Sequence, residues 1–271
     1  MKFALLYFSG TGVTAKFAHD IASGIENNNH TMEFFRIKKN ISIDVSQHDI
    51  VGIGSPAYSF RAPRLTTKFL KKINFQKKPF FIFCTSGGMP GNTLWNLFRA
   101  VKKTGGYCLG YLEGVGTTNL RSWMPEKSCY NTTLIGINSY YSNQAQIFVQ
   151  IIIERYNSII RLNDRKQRRE WLPKVNILTI LWSLLFTWPW QMALYVGWKK
   201  VDKNKCNHCG LCESKICPSG AIKLNKNKLP KFNELICVGC SGCVNLCPVD
   251  AIWTNNSRNK IQYNLYSKYI L

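Results

Sequence analysis

Cys206-Asn-His-Cys209-Gly-Leu-Cys212-Glu-Ser-Lys-Ile-Cys217-Pro218 is followed, after a short connection, by Cys237-Val-Gly-Cys240-Ser-Gly-Cys243-Val-Asn-Leu-Cys247-Pro248. Three cysteines at two-residue intervals let consecutive thiolates converge on neighbouring irons of a cubane, and a Cys-Pro after each run supplies a fourth. A zinc site would take its ligands as two Cys-x-x-Cys pairs and leave the third cysteine of each run idle. Disulfides suit small secreted chains, whereas eight of the eleven cysteines here sit in one compact repeat. The stretch reads as iron–sulfur ligation. It is also an internal repeat: Pro218-Ser-Gly-Ala-Ile222 returns as Pro248-Val-Asp-Ala-Ile252 at an offset of 30, so two similar loops pair about a pseudo-twofold axis.

On these residues the stretch resembles the bacterial two-cluster ferredoxins, a small α+β domain expected here over residues 201–255. The resemblance implies that each fourth cysteine serves the other centre. Cys206, Cys209, Cys212 and Cys247 would then hold one [4Fe–4S] cluster, and Cys237, Cys240, Cys243 and Cys217 the second. The first half has four residues between Cys212 and Cys217, where the ferredoxin pattern has three. An added loop residue costs little, but Cys217 has the most to accommodate.

At 271 residues the chain has room for two modest domains. Iron–sulfur thiolates imply a reducing interior, hence a cytoplasmic location. Met1–Phe8 is too short an apolar run for a secretory leader and lacks a small-residue cleavage site, so it reads as a first strand. The net charge of +22 predicts an acidic redox protein partner or an anionic lipid surface, with association that weakens as salt rises. No recognition motif supports nucleic acid.

Lys2–Phe8 runs straight into Ser9-Gly-Thr-Gly-Val-Thr14 and then into the helical spacing of Ala15–Ala22. A strand, a loop of glycines and hydroxyls and a helix N-terminus together make an anion cradle. The dinucleotide fingerprint and the Walker lysine are absent. The loop is similar to the FMN phosphate loop of flavodoxins, Ser/Thr-x-Thr-Gly-x-Thr, and the resemblance implies contacts from Ser9, Gly10, Thr11, Gly12, Val13 and Thr14. The asparagine common at the fifth position is Val13 here, which leaves only a backbone contact there.

Strand and helix keep alternating. Thr31–Ile37 and Ile50–Gly54 read as the second and third strands, Pro63–Ile73 as a basic helix, Phe80–Phe83 as the fourth strand, Asn92–Lys103 as a helix and Tyr107–Val115 as the fifth strand. The predicted fold is a flavodoxin-like, doubly wound α/β domain with a parallel five-stranded sheet of order 2-1-3-4-5 over residues 1–165. Ser55-Pro56-Ala57-Tyr58 and Thr85-Ser86-Gly87-Gly88 resemble the two flavin-ring loops of that family, with Tyr58 the candidate to stack on the ring. Loops after strands 1, 3 and 4 meet at the switch point of such a sheet. Cys84 reads as a buried strand residue. Gly116–Ser142 reads as a long loop that either covers the flavin or docks the cysteine-rich unit, and Asn143–Asp164 as a helix.

Residues 166–200 form the connection. Arg161–Lys174 is basic, Val175–Trp198 is uncharged, and five of the eight tryptophans lie between Trp171 and Trp198. A membrane span would put two redox units on opposite sides, so two readings stay open: a hydrophobic bracket between the domains, or a peripheral contact with an anionic membrane. The tail 256–271 carries no functional reading.

Over most of its length the chain resembles bacterial flavodoxin–ferredoxin fusions. The resemblance implies an electron-transfer iron–sulfur flavoprotein of anaerobic metabolism, with FMN and two [4Fe–4S] clusters. A flavin enzyme acting on a small substrate and a flavin-less, cluster-bearing adaptor or sensor are the alternatives. None of His19, His30, His48 or His208 sits in a recognisable acid–base constellation, so no catalytic side chain is assigned.

Overall fold

The structure, a computed structural model, describes residues 1–121, 127–162, 171–185, 191, 195–258 and 260–271. Its first strand explains the layering. In β1 (Lys2–Tyr7) side chains alternate between two faces, and both faces are apolar. Phe3, Leu5 and Tyr7 join one core, while Ala4, Leu6 and the following Phe8 join the other. A strand buried on both sides calls for helices above and below.

β1 is followed by α1 (Val13–Asn27), β2 (Thr31–Arg36), β3 (Ile50–Pro56), α2 (Arg64–Leu70), β4 (Pro79–Ser86), α3 (Thr93–Lys102) and β5 (Tyr107–Val115). The strands form one parallel sheet of order β2-β1-β3-β4-β5, the flavodoxin-like arrangement expected from the sequence. Phe17, Ala18 and Ile21 of α1 pack on one face; Phe69 and Leu70 of α2 and Leu94, Leu97 and Phe98 of α3 pack on the other. Tyr7 pairs with Gly54, and Pro56 with Thr85, so the strands next to the switch point end level with one another. That places the three singled-out loops along one edge.

The long-loop expectation for Gly116–Ser142 is corrected. A helix, α4, runs from Lys127 to Leu162, 36 residues or roughly 54 Å at 1.5 Å per residue. Its later part packs on the sheet through Ala145, Phe148, Val149 and Ile152. The start escapes sequence reading because Asn131, Thr132, Thr133 and Gly136 are poor helix formers.

The cysteine-rich lobe is small. β6 (Lys200–Val201) pairs antiparallel with β9 (Ile252–Trp253), and β7 (Ile222–Leu224) with β8 (Pro230–Phe232). A short helix, α6, covers Gly242–Asn245. Its buried residues Ile216, Ile222, Val244, Leu246 and Ile252 are continuous with the α1 core, so the two lobes share one interior.

Between the two lobes in chain order comes α5 (Ile177–Leu185), pinned at its start by Asn92. That side chain donates to the Asn176 carbonyl at 2.7 Å and accepts the Asn176 N–H at 2.9 Å. Ile177, Leu178 and Leu181 are exposed, so the described face of α5 is not the bracket buried between domains that the sequence suggested. Among the described residues no helix is long and apolar enough to cross a membrane.

Candidate metal centre

The eight cysteines sort into two cavities. Cys206, Cys209, Cys212 and Cys247 line one, together with Leu224, Lys228 and Pro230. Cys217, Cys237, Cys240 and Cys243 line the other, together with Lys199, Phe232 and Glu234. All eight are free thiols. The first quartet faces outward, with Cys209 exposed and Cys206 and Cys212 half-buried. In the second only Cys217 is half-buried; Cys237, Cys240 and Cys243 are buried.

The repeat is visible in the backbone. The Ala221 N–H donates to Cys217 Sγ at 3.3 Å, and the Ala251 N–H donates to Cys247 Sγ at 3.3 Å. Positive φ recurs at matched sites: His208 with Gly239, Gly210 with Ser241, and Gly220 with Asp250. The additional residue of the first half is absorbed locally. Cys212–Ile216 forms a single π-turn, closed by the Cys217 N–H on the Cys212 carbonyl at 3.1 Å. Such a wide turn takes up one residue without disturbing its flanks, and Cys217 still reaches its cavity.

The donor set fits iron. Burial pushes the Cys240 thiol up to about 12, helped by the sulfurs of Cys237 and Cys217. Burial likewise pushes Cys243 well above the usual thiol range. Thiolates crowded at this depth need a cation beside them, and thiolate-bound iron supplies that charge.

Two protein cations stand at the second quartet. The Lys199 side chain, 3% exposed, forms an ion pair with Glu234 at 2.8 Å and lines the same cavity as Cys237. Burial works against its charge, but the Cys237 and Cys243 sulfurs and the Glu234 carboxylate outweigh that and hold its pKa above the usual lysine range. Arg36, at the end of β2, donates to the carbonyls of Lys215 (2.8 Å), Ile216 (3.1 Å), Ser9 (3.2 Å) and Ile270 (3.4 Å). It thereby ties the sheet, the cysteine-rich lobe and the tail together. The charges of Cys240 and Cys217 act on it, and its Nε is buried with no hydrogen-bond partner among the described residues. Neither cation was singled out from sequence. The one available signal for Arg36 was its place at the carboxyl end of a switch-point neighbour; Lys199 offers none, because its partners lie more than thirty residues away.

The segment after β5 docks the lobe, which decides the alternative left open by the sequence. Asn119 donates to the Cys240 carbonyl at 2.9 Å, and Asn245 donates back to the Asn119 carbonyl at 2.9 Å. Arg121 donates to Asn245 Oδ1 at 3.2 Å and Asp250 Oδ1 at 2.9 Å, and also to the Val244 carbonyl.

The three loops at the switch point do come together. Thr14 and Thr85 share a hydroxyl hydrogen bond of 2.8 Å, and the Ala57 N–H donates to the Thr85 carbonyl at 2.8 Å. Ser55, Thr85 and Ser86 are buried, Pro56 lies beside them, and Gly87 and Gly88 stand in open space. What covers these loops is the chain itself. A Cβ on Gly10 would lie 2.6 Å from Cys240 Cβ and 2.9 Å from the Tyr58 hydroxyl. Gly12, at φ 103°, is pressed by the Tyr266 carbonyl. Ser9, Thr11 and Thr14 are buried, Val13 is half-buried, and Ser9 Oγ already accepts the Gly12 N–H at 3.2 Å. Tyr58 meets Phe8 edge-on at 6.2 Å. Burial pushes its hydroxyl well above the usual range, with Cys240 adding to the effect. The loops have the donors that the FMN resemblance calls for, and Cys240 and Tyr266 pack against Gly10 and Gly12 at their edge.

Comparison with known proteins agrees with this division. Residues 205–251 match the 4Fe–4S dicluster domain. Over 64 residues the sequence is 36% identical to a component of the anaerobic dimethyl sulfoxide reductase of Haemophilus influenzae, covering 23% of this chain and 29% of that protein. It is 42% identical over 52 residues to the pyruvate synthase subunit PorD of Methanocaldococcus jannaschii, covering 19% and 59%. It therefore spans less than two thirds of either relative. A short-chain flavodoxin associated with a bacterial microcompartment aligns over 58% of this chain and 99% of its own, at 14% identity and a TM-score of 0.43. The chain thus joins a flavodoxin-like sheet to a [4Fe–4S] domain. The matched domain is one named for two [4Fe–4S] clusters.

Proposed function

We propose that this chain is a one-electron carrier working between redox proteins of anaerobic metabolism, built on two [4Fe–4S] clusters. Cys206, Cys209, Cys212 and Cys247 would hold the first, and Cys217, Cys237, Cys240 and Cys243 the second. The observation that carries this reading is the sorting of eight cysteines into two separate cavities of the cysteine-rich lobe, one with an exposed cysteine and one lined mostly by buried cysteines. Bound clusters supply one-electron chemistry. The chain's own residues exclude water, orient the sulfurs through the Ala221, Gly239 and Ala251 N–H groups, and set charge around the second site through Lys199 and Arg36.

The matched relatives are named as components of redox enzymes, which supports protein partners rather than a small substrate. The excess of +22 supports acidic ones. In this reading residues 1–165 seat the buried centre, 166–200 connect, 201–255 carry the clusters, and the tail from 256 closes the crevice. A reducing, cytoplasmic setting suits the thiolates. The exposed Ile177, Leu178 and Leu181 support an additional peripheral contact with anionic membrane.

FMN would bind at the crevice of the sheet lobe. Ser9–Thr14, Ser55–Tyr58 and Thr85–Gly88 are its candidate contacts, and Cys240 and Tyr266 pack against Gly10 and Gly12 beside them. Anaerobic purification with iron, sulfide and flavin quantification tests both parts. About eight irons per chain are expected; four would sink the two-cluster reading. Flavin uptake that rises when residues 264–271 are deleted would establish a covered FMN site. Equal uptake with and without the tail would remove the tail as its cover.

A further inference from the structure

The two quartets differ in the charge built around them. Residues lining the first cavity include one cation, the exposed Lys228. At the second, Lys199 lines the cavity beside Cys237 and Cys243, and Arg36 donates to the Ile216 carbonyl, next to Cys217. Glu234 offsets Lys199. Among the described residues Arg36 has no carboxylate partner: its bonds go to four carbonyls and its Nε has no hydrogen-bond partner. One positive charge at the buried site is therefore uncompensated.

We propose that Lys199 and Arg36 are positioning residues that raise the reduction potential of the second quartet's cluster above that of the first. Reduction adds one negative charge to a site. Burial by itself opposes that addition, because the more highly charged state loses more hydration. Fixed cations at close range favour it, and more strongly where water is excluded. At the second quartet Lys199 lines the cavity and three of the four cysteines are buried. The first quartet has an exposed cysteine and one exposed lysine. An electron delivered by a one-electron donor protein at the exposed site then passes inward: the first centre returns to its oxidised level as the second is reduced, with no bond made or broken.

The inference rests on the two-cluster reading, and one experiment separates the two. Full-length protein, reconstituted anaerobically with iron and sulfide, is assayed for iron and titrated with EPR detection as wild type, Lys199→Gln, Lys199→Arg and Glu234→Gln. Wild type should hold about eight irons and show two one-electron midpoints. Lys199→Gln should lower the higher midpoint by at least tenfold in electron partition, ~59 mV for one electron, and leave the lower one in place. Lys199→Arg should restore it. Glu234→Gln should move the same midpoint upward. The opposite signs are the informative part, since both Gln variants break the same ion pair and a merely structural role would move both in one direction. At eight irons, unmoved midpoints, a shift of the lower midpoint, or shifts of one sign overturn the inference alone. Four irons with a single midpoint overturn the two-cluster reading, and the inference with it.

Discussion

The first quartet sits where a partner can reach it, and the second where only the protein can. Cys209 is exposed, and Lys203, Lys205 and Lys228 stand exposed in its lobe. Cys240, by contrast, is held by Asn119 through its carbonyl and rests on Gly10. The two halves of the repeat share a backbone, down to the matched N–H···S bonds of Ala221 and Ala251. Their difference therefore comes from what the sheet lobe and the tail bring to one of them. A symmetric motif becomes a directional pair once one side is docked. Having both lobes in one chain matters here physically: it places Cys240, a proposed cluster ligand, on the glycine–threonine loop of the neighbouring lobe.

The largest test of this comparison removes one cysteine from each quartet. Cys209→Ser and Cys240→Ser should each lower the iron content by about four per chain. Only the second should also loosen the lobes, because Cys240 packs on Gly10 and its carbonyl accepts from Asn119. A greater fall in melting temperature for Cys240→Ser, with faster proteolysis between the lobes, is the expected result. Equal falls would mean that the buried centre does not hold the lobes together.

A smaller effect sharpens the same contrast without touching a ligand. Gly10→Ala would force a Cβ to within 2.6 Å of Cys240 Cβ and 2.9 Å of the Cys240 carbonyl oxygen. Backbone gives way poorly, so a loss of about 1–3 kcal/mol is expected from overpacking. Gly87, on the same edge, has nothing within 4 Å of an added Cβ, and its φ is not in the left-handed region. Gly87→Ala should be within about 0.5 kcal/mol of wild type. Denaturant melts of the two variants check this, and a neutral Gly10→Ala would show that the cysteine-rich lobe is not seated on the loop.

The parts of this arrangement legible in the sequence are those with a local period. Cysteines at two-residue intervals, the 30-residue repeat and the apolar run of β1 each announce their geometry through neighbours along the chain. The order 2-1-3-4-5 follows from alternation and connection rules. The features that escaped depend on distant partners. Arg36 meets Ile216 across 180 residues, Asn119 meets Cys240 across 121, and Arg121 meets Asp250 across 129. None of these has a spacing to read. Tyr266, in a tail without regular patterning, covers a loop that precedes it by more than 250 positions. The start of α4 was hidden for the opposite reason: its local propensities point away from the helix that the structure contains.

The mildest effect concerns the way in. If the exposed quartet is the port, the lysines near it steer an acidic donor, and rim charges act on the rate of encounter more than on the lifetime of the complex. Lys203→Glu with Lys205→Glu should slow reduction of the chain by an acidic ferredoxin several-fold at low salt and flatten the dependence of that rate on ionic strength. At 0.15 M, where screening extends over about 8 Å, the difference should shrink. Lys268, exposed on the tail beside Tyr269, provides the control. Lys268→Glu changes net charge in the same direction but lies with the elements that cover the buried quartet. Stopped-flow reduction of the two variants at matched ionic strength distinguishes a port from a general excess of charge. If Lys268→Glu slows the donor as much per charge as the double variant does, the outward-facing cysteines confer no preferred entry. The asymmetry between the quartets would then concern where an electron stays and not where it arrives.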